Sequence, residues 1–146
     1  MGAGCPLGDV AGDDVKIAVV VRDDLAVWQK LNVTAFLVSG MGQRWPDLIG
    51  EPYQDGSGEP YLPMFGHPVL VFVADAGGIR RAFDRACSRG LAASVYTDKL
   101  FVTDNDVDNR AMVASQRTED LDLAGFAVAG DRRTVDKALD KLKLHP

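Results

Sequence analysis

Residues 16–22 read Lys-Ile-Ala-Val-Val-Val-Arg, an unbroken apolar run between two basic residues. A strand with one face in water alternates polar and apolar residues, whereas a strand covered on both faces is apolar throughout. The run therefore predicts a β-strand that is buried on both faces. Such a strand needs helices above and below its sheet, so this feature indicates an α/β fold.

Strand and helix patterns alternate along the rest of the chain. Apolar runs predict strands at residues 69–74, 91–96 and 121–129, and apolar spacings of three and four predict helices at residues 25–38, 79–87, 103–115 and 135–142. On the first helix the predicted buried stripe is Leu25, Trp28, Leu31, Ala35 and Val38. This alternation predicts a mostly parallel sheet with helices on both faces.

The length of 146 residues fits one domain. We predict a flexible tail at residues 1–14, which are rich in glycine and aspartate, and a single α/β domain at residues 15–146. Residues 41–67 form a long loop rich in proline, glycine and aromatic residues, in which Asp-Gly and Ser-Gly at residues 55–58 predict a small hairpin. Loops of this length are usually functional or disordered, and this one could be a lid or a dimer contact.

The charge balance and hydropathy limit the partners. Sixteen Lys and Arg residues against twenty-one Asp and Glu residues give a net charge of −5, which disfavours nucleic acid. No apolar stretch approaches the ~20 residues that cross a bilayer, so we expect no membrane partner. The first residues lack the basic and apolar parts of an export signal, and we expect a cytoplasmic protein.

Polar residues follow the first and third predicted strands, where ligands of open α/β sheets bind. Arg22 ends the first strand, and Tyr96, Thr97 and Asp98 end the third. Arg22 could bind a carboxylate or phosphate through two hydrogen bonds, with Tyr96 and Thr97 beside it. Asp98 could act as a base or orient water. These residues are candidates for one ligand site.

Lys30 and Thr34 lie four residues apart and share one face of the first helix. A partly buried lysine there could donate a proton or stabilise an oxyanion. The alternative is a lysine that extends from the helix edge into solvent. Aspartates at 23, 24 and 75 are candidate helix caps, a role for which aspartate is strongly preferred.

The motifs for metals and cofactors are incomplete. Asp104, Asp106 and Asp108 resemble the start of a calcium loop, but Asn109 stands at the glycine position and Ser115 at the glutamate position. No dinucleotide or phosphate-binding glycine pattern follows a strand. We therefore predict no metal and no cofactor.

Two resemblances add to this interpretation. Residues 16–25 with Trp28 and Lys30 resemble the start of the type II peptidyl-tRNA hydrolases: a lysine, an apolar strand, Arg, Asp-Leu and a helix with a lysine. The chain after residue 14 more closely resembles a bacterial family named only as domain of unknown function two thousand, DUF2000. The matching segments lie at residues 48–53, 61–64, 94–97, 135–137 and 144–146.

The resemblance implies a three-layer α/β/α sandwich with a small mixed sheet, similar to the hydrolases, and a dimer. Aligned on Lys30, the hydrolases' Ala-Ala-Gln-x-x-His segment falls on residues 32–37, where Thr34 replaces the glutamine and Leu37 the histidine. Asp98 occupies the place of the aspartate in their Asp-Ala-Gly motif, although Lys99 and Leu100 follow it here.

Three hypotheses for the function follow. In the first, Arg22, Lys30 and Asp98 line a pocket for a small anionic or acyl compound, with hydrolysis or acyl transfer as the reaction: Asp98 directs water and Lys30 stabilises the oxyanion. In the second, the protein is a non-catalytic binding protein whose aromatic loop forms a homodimer contact. In the third, it cleaves the ester link of peptidyl-tRNA.

Overall fold

The computed structural model describes residues 14–146, so the predicted N-terminal tail lies outside the described residues except for Asp14. Within this range the strands are β1 Val15–Arg22, β2 Tyr53–Gln54, β3 Pro60–Tyr61, β4 Val69–Ala74, β5 Ala93–Thr97, β6 Leu123–Asp131 and β7 Lys143–Leu144. The α-helices are α1 Val27–Ser39, α2 Met41–Arg44, α3 Ala76–Ser88, α4 Asp106–Ala114 and α5 Arg132–Ala138. Short 3₁₀ segments occupy Pro46–Leu48, Asp98–Val102 and Thr118–Asp120.

The main sheet has five strands in the order β5-β6-β1-β4-β7 and is mixed. Only the β1–β4 pair is parallel among the described strands, and β6 runs antiparallel to both of its neighbours. The prediction of a mostly parallel sheet was therefore wrong. Helix α4 has no fully buried residue, and the chain returns after it as β6, which is antiparallel to β5.

Strand β1 is buried on both faces, as its sequence predicts. The side chains of Ile17, Val19 and Val21 join one apolar cluster with α1, and those of Ala18 and Val20 join a second cluster with α3 and α5. All five are fully buried. Complete burial contributes about 1.5–3 kcal/mol for each valine or isoleucine. The helices thus lie on both faces of a mixed α/β fold.

The buried face of α1 differs from the predicted stripe. Val33 and Leu37 are its buried residues, whereas Trp28 and Leu31 remain exposed. The cause lies in β6, where a Cβ added to Gly125 would be 2.7 Å from Cγ1 of Val33 and 3.1 Å from Cδ1 of Leu37. Because position 125 carries no side chain, α1 packs closely against β6 through these two residues.

Residues 41–67 are ordered around the predicted hairpin. Tyr53 of β2 faces Tyr61 of β3. The Asp55 carboxylate accepts hydrogen bonds from the backbone N–H groups of Ser57 and Glu59 and from the Tyr61 hydroxyl at 2.8 Å. The pKa of Asp55 is lowered, chiefly by the Tyr61 hydroxyl and then by these amides.

The C-terminal segment adds an edge strand that the sequence did not predict. Helix α5 ends at Ala138, and Lys141 adopts a left-handed backbone with φ of 70°. Leu144 of β7 then pairs with Phe72 of β4. Within residues 14–146, every helix is too short or too polar to traverse a bilayer.

Candidate functional site

The side chain of Arg22 joins three segments at the end of β1. Its Nε atom donates to Oδ1 of Asp24 at 2.6 Å, Nη2 donates to Oδ1 of Asp98 at 2.8 Å, and Nη1 donates to Oδ1 of Asp122 at 3.2 Å. The end of β5 and the start of β6 meet here because the backbone N–H of Asp98 also donates to the carbonyl of Asp122. We call these four residues the Arg22 cluster.

The Arg22 cluster combines one positive charge with three carboxylates, so its net charge is negative. The Arg22 side chain is only 11% exposed. Burial lowers the pKa of Arg22, but the hydrogen bonds to Asp24 and Asp98 outweigh it and the net pKa is raised. Each guanidinium nitrogen already donates one hydrogen bond to a carboxylate, so a ligand anion would compete with three aspartates for this cation.

Lys30 of α1 does not belong to the Arg22 cluster. Its Nζ atom is 3.1 Å from Nε2 of His145, and its backbone carbonyl accepts a hydrogen bond from the Thr34 hydroxyl at 2.8 Å. The backbone N–H of His145 donates to the carbonyl of Val71, which holds the C-terminus beside β4. Lys30 therefore faces the β4–β7 edge of the sheet, whereas Asp98 follows β5 at the opposite edge.

Tyr96 and Thr97 occupy different environments at the end of β5. The Tyr96 ring packs with α1, is 5% exposed, and its hydroxyl accepts a 3.5 Å hydrogen bond from Nδ2 of Asn32. Burial raises the pKa of Tyr96, and the Asn32 bond lowers it in part. Thr97 is fully buried, and its hydroxyl has no hydrogen-bond partner among the described residues.

Of the candidate helix caps, Asp75 caps a helix and Asp24 does not. Asp75 caps α3 by accepting a 2.7 Å hydrogen bond from the backbone N–H of Gly78. Asp24 bonds to Arg22 instead of to the start of α1. At that helix the Gln29 side chain accepts the backbone N–H of Ala26.

A cleft of about 380 Å³ opens between α1 and the segment that runs from the end of β5 to α4; we call it the α1–α4 cleft. Trp28, Asn32 and Phe36 of α1 form one wall, four residues apart along the helix. The other residues that line it are Tyr96, Leu100, Phe101, Thr103, Asp104, Asn105, Asp106 and Asn109. None of residues 41–67 lines this cleft.

Of the six candidate site residues, only Tyr96 lines the α1–α4 cleft. Arg22 and Asp98 meet in the adjacent Arg22 cluster, and Lys30 with Thr34 belongs to a separate contact. Sequence reasoning missed Asn32. The spacing of 28, 32 and 36 was a usable signal, but Trp28 was predicted to belong to the buried stripe of the helix.

Among the described residues, no group of three or more His, Cys, Asp or Glu side chains is arranged to hold a metal ion. The polar groups of the α1–α4 cleft are amides, hydroxyls and two aspartates. These groups suit hydrogen bonding and charge recognition of an organic molecule.

The mixed sheet with helices on both faces places the chain in the α/β class. Its sequence matches the profile of the family described as protein of unknown function, DUF2000, over residues 15–146, and the chain belongs to that family. The expected membership is thereby confirmed.

The chain is also similar to the solved structure of Atu0240, a protein of unknown function from Agrobacterium tumefaciens strain C58. The two are 41% identical with a TM-score of 0.89, over 92% of this chain and 100% of that chain. No curated protein matches.

Proposed function

We propose that this protein binds a small organic ligand in the α1–α4 cleft. The observation that carries the proposal is the composition of the cleft: aromatic walls from Trp28, Phe36 and Phe101, with the Asn32–Tyr96 hydrogen bond between them. Ligand sites are typically concave and mostly apolar, with a few converging polar groups that fix orientation. The cleft also adjoins the end of β5, where the strand-end rule expects a ligand.

Two other cavities fit a ligand less well. A groove of about 190 Å³ beside α2, which includes Leu37, Met41 and Trp45, has few polar groups to orient a molecule. A depression of about 420 Å³ at the start of α3 contains Asp75 and Arg81 but no aromatic wall, and the Asp75 carboxylate is already used as the helix cap.

We further propose a three-layer α/β/α arrangement similar to that of the type II peptidyl-tRNA hydrolases. Support comes from the two apolar clusters on opposite faces of the sheet and from the opening motif at residues 16–25. A shared fold does not transfer an activity, so peptidyl-tRNA cleavage is a separate proposal. Failure to cleave N-blocked aminoacyl-tRNA would exclude it.

We further propose that the protein catalyses hydrolysis or acyl transfer of its ligand. Asp98 would direct water, since it adjoins the cleft at the end of β5. Lys30 faces the opposite edge of the sheet, so it would stabilise an oxyanion only after turning toward the cleft. Lys30 would first have to leave His145, because their nitrogen atoms are 3.1 Å apart. The test is esterase and deacylase turnover by the Lys30→Ala, Asp98→Asn double variant. Turnover equal to that of the unmodified protein would discard this step.

As an alternative function, we propose that the exposed apolar residues form a homodimer contact. Leu31 on α1 is 68% exposed and Leu62 beside the hairpin is 84% exposed. Large exposed apolar surfaces often mark interfaces. Sedimentation velocity of the protein and of a Leu31→Glu, Leu62→Glu variant tests it: a dimer that the variant dissociates supports the contact, and a monomer in both excludes it.

Tryptophan fluorescence can test ligand binding because the chain has only two tryptophans. In a Trp45→Phe variant, Trp28 in the cleft is the single reporter. We expect a saturable change of its emission with at least one member of a panel of small amines, acids, esters and amides. The matched Trp28→Phe variant, which reports from Trp45, should not respond to the same compound. A response from Trp45 alone would place the ligand elsewhere.

A further inference from the structure

We propose that the α1–α4 cleft selects an organic cation, such as an ammonium or quaternary ammonium group carried by a small molecule. This inference rests on the proposed function of the cleft and names the chemical class of its ligand. Two independent features carry it: the arrangement of the aromatic rings and the sign of the charged groups.

Four aromatic rings of the cleft form a connected set. Trp28 meets Phe101 with ring centroids 6.2 Å apart, Phe101 meets Tyr96 at 5.0 Å, and Tyr96 meets Phe36 at 5.8 Å. Trp28 is 62% exposed and Phe36 is 53% exposed, so ring surface remains accessible to a ligand at both ends of the set. A cation is attracted to the negative face of an aromatic ring, and tryptophan is the strongest partner.

The charged residues that line the cleft all carry negative charge. Asp104 and Asp106 are at its rim, and within the described chain no Lys, Arg or His contributes to its lining. Asp106 is partly neutralised by its contact with Arg110. Asp104 accepts a hydrogen bond at 2.9 Å from the amide of Asn105, a neutral group that does not offset its charge.

The Arg22 cluster adds to the negative electrostatic potential of the cleft. It follows β1 and β5, adjacent to the cleft, and its three carboxylates exceed its single guanidinium group. A cleft walled by low-dielectric aromatic groups concentrates such a field. A ligand carboxylate or phosphate would be repelled there, whereas a cation would be attracted both by Asp104 and by the rings.

Three compounds of nearly equal shape separate charge from size. Choline carries a trimethylammonium group, 3,3-dimethylbutanol carries the neutral tert-butyl equivalent, and 3,3-dimethylbutanoate is the anion. Each is titrated into ¹⁵N-labelled protein, and the amide shifts of residues 28–36 and 96–109 are followed. We expect choline to bind at least tenfold more tightly than the alcohol, and the anion to bind least.

Two aspartate variants provide the matched comparison. Asp104→Asn removes the charge at the rim and should weaken choline binding several-fold. Asp140→Asn makes the same chemical change after α5, on the other side of the sheet, and should leave binding unchanged. The amide spectrum of each unliganded variant shows that it is folded.

Equal affinities for choline and the alcohol, or tighter binding of the anion, would overturn the cation proposal while leaving the cleft as a ligand site. Shifts in the cleft with other compounds but with none of these three would also overturn it. If no compound of any charge perturbs the cleft residues, the proposed function itself fails.

Discussion

Nη2 of Arg22 lies 2.8 Å from Oδ1 of Asp98, although 76 positions separate the two residues. The contact ties the end of β1 to the end of β5, and Asp122 at the start of β6 joins the same guanidinium group. The cluster therefore holds together the three strand ends beside the α1–α4 cleft. We assign Arg22 a positioning role there.

Replacing Arg22 tests that role. Arg22→Met leaves the carboxylates of Asp24, Asp98 and Asp122 close together without their shared cation. Hydrogen bonds to charged groups contribute about 1.5–3 kcal/mol each, but solvent screens these half-exposed carboxylates, so we expect a total loss of about 1–2 kcal/mol. Urea denaturation measures it.

The control is Arg132→Met, which removes an exposed ion pair with Asp14. Exposed pairs contribute little, so unfolding should not change measurably. Equal effects of the two substitutions would mean that the Arg22 cluster does not hold the strand ends.

Gly125→Ala is expected to disturb the packing of α1 on the sheet. The added Cβ would lie 2.7 Å from Cγ1 of Val33 and 2.9 Å from the carbonyl oxygen of Val20, and the latter is sheet backbone that cannot move aside. Overpacking of this kind costs about 1–3 kcal/mol. Because α1 carries one wall of the cleft, ligand affinity should fall as well.

Gly40→Ala is the matched control for Gly125→Ala. Position 40 has φ of −82° and nothing within 4 Å of an added Cβ. Thermal unfolding should occur at the same temperature or slightly higher, because alanine restricts the unfolded chain at a position whose φ it can adopt, and ligand titration should match that of the unmodified protein. A Gly125→Ala variant as stable as this control would contradict the close approach of α1 to β6.

Alkaline pH should destabilise the protein in part through Tyr96. Burial raises the pKa of Tyr96 in the folded state, whereas an unfolded tyrosine titrates near pH 10. Above about pH 10 the unfolded chain releases this proton while the folded chain retains it, so stability falls as pH rises. Tyr96→Phe should remove that part of the fall, and Tyr53→Phe in the exposed hairpin should not.

Asn32→Ala gives a second readout for the same group. The Asn32 amide lowers the pKa of Tyr96, so its removal should raise that pKa further. Absorbance of tyrosinate during an alkaline titration measures the change. A downward shift, or none, would contradict the hydrogen bond between the two side chains.

Acid should weaken the hydrogen bonds of the hairpin, because the Asp55 carboxylate that accepts them becomes protonated. Its pKa is lowered mainly by the Tyr61 hydroxyl, so the hydrogen bonds are present above the ordinary pKa of aspartate and are lost as pH falls through the lowered value. Amide shifts of Ser57 and Glu59 follow this transition. Tyr61→Phe should move its midpoint upward, and an unchanged midpoint would contradict the Tyr61 contribution.

Much of the fold could be predicted because local patterns determine it. Residues 17–21 of β1 are all apolar since both faces of the strand are covered, and the turn dipeptides at residues 55–58 do form a hairpin. The direction of β6 could not be predicted, because it depends on how α4 returns the chain. The buried face of α1 depends on Gly125, 92 positions after Val33, and no periodicity within α1 reveals it.

The candidate site, like the fold, could be predicted only in part. The rule that ligands bind at the carboxyl ends of the strands predicts that Arg22 and Asp98 lie close together, and their side chains do form a hydrogen bond. The Lys30–His145 contact depends on β7, a two-residue edge strand without a sequence pattern of its own. The cleft was missed in part because Trp28 was predicted to be buried with the apolar stripe of α1, whereas it is 62% exposed.

The most direct test of the account is a crystal structure of the protein with a compound that changes Trp28 emission. We predict ligand density in the α1–α4 cleft, in contact with Trp28 and Phe101 and within hydrogen-bonding distance of Asn32 or Tyr96. Density in the groove beside α2 or against the hairpin, with the α1–α4 cleft empty, would contradict it.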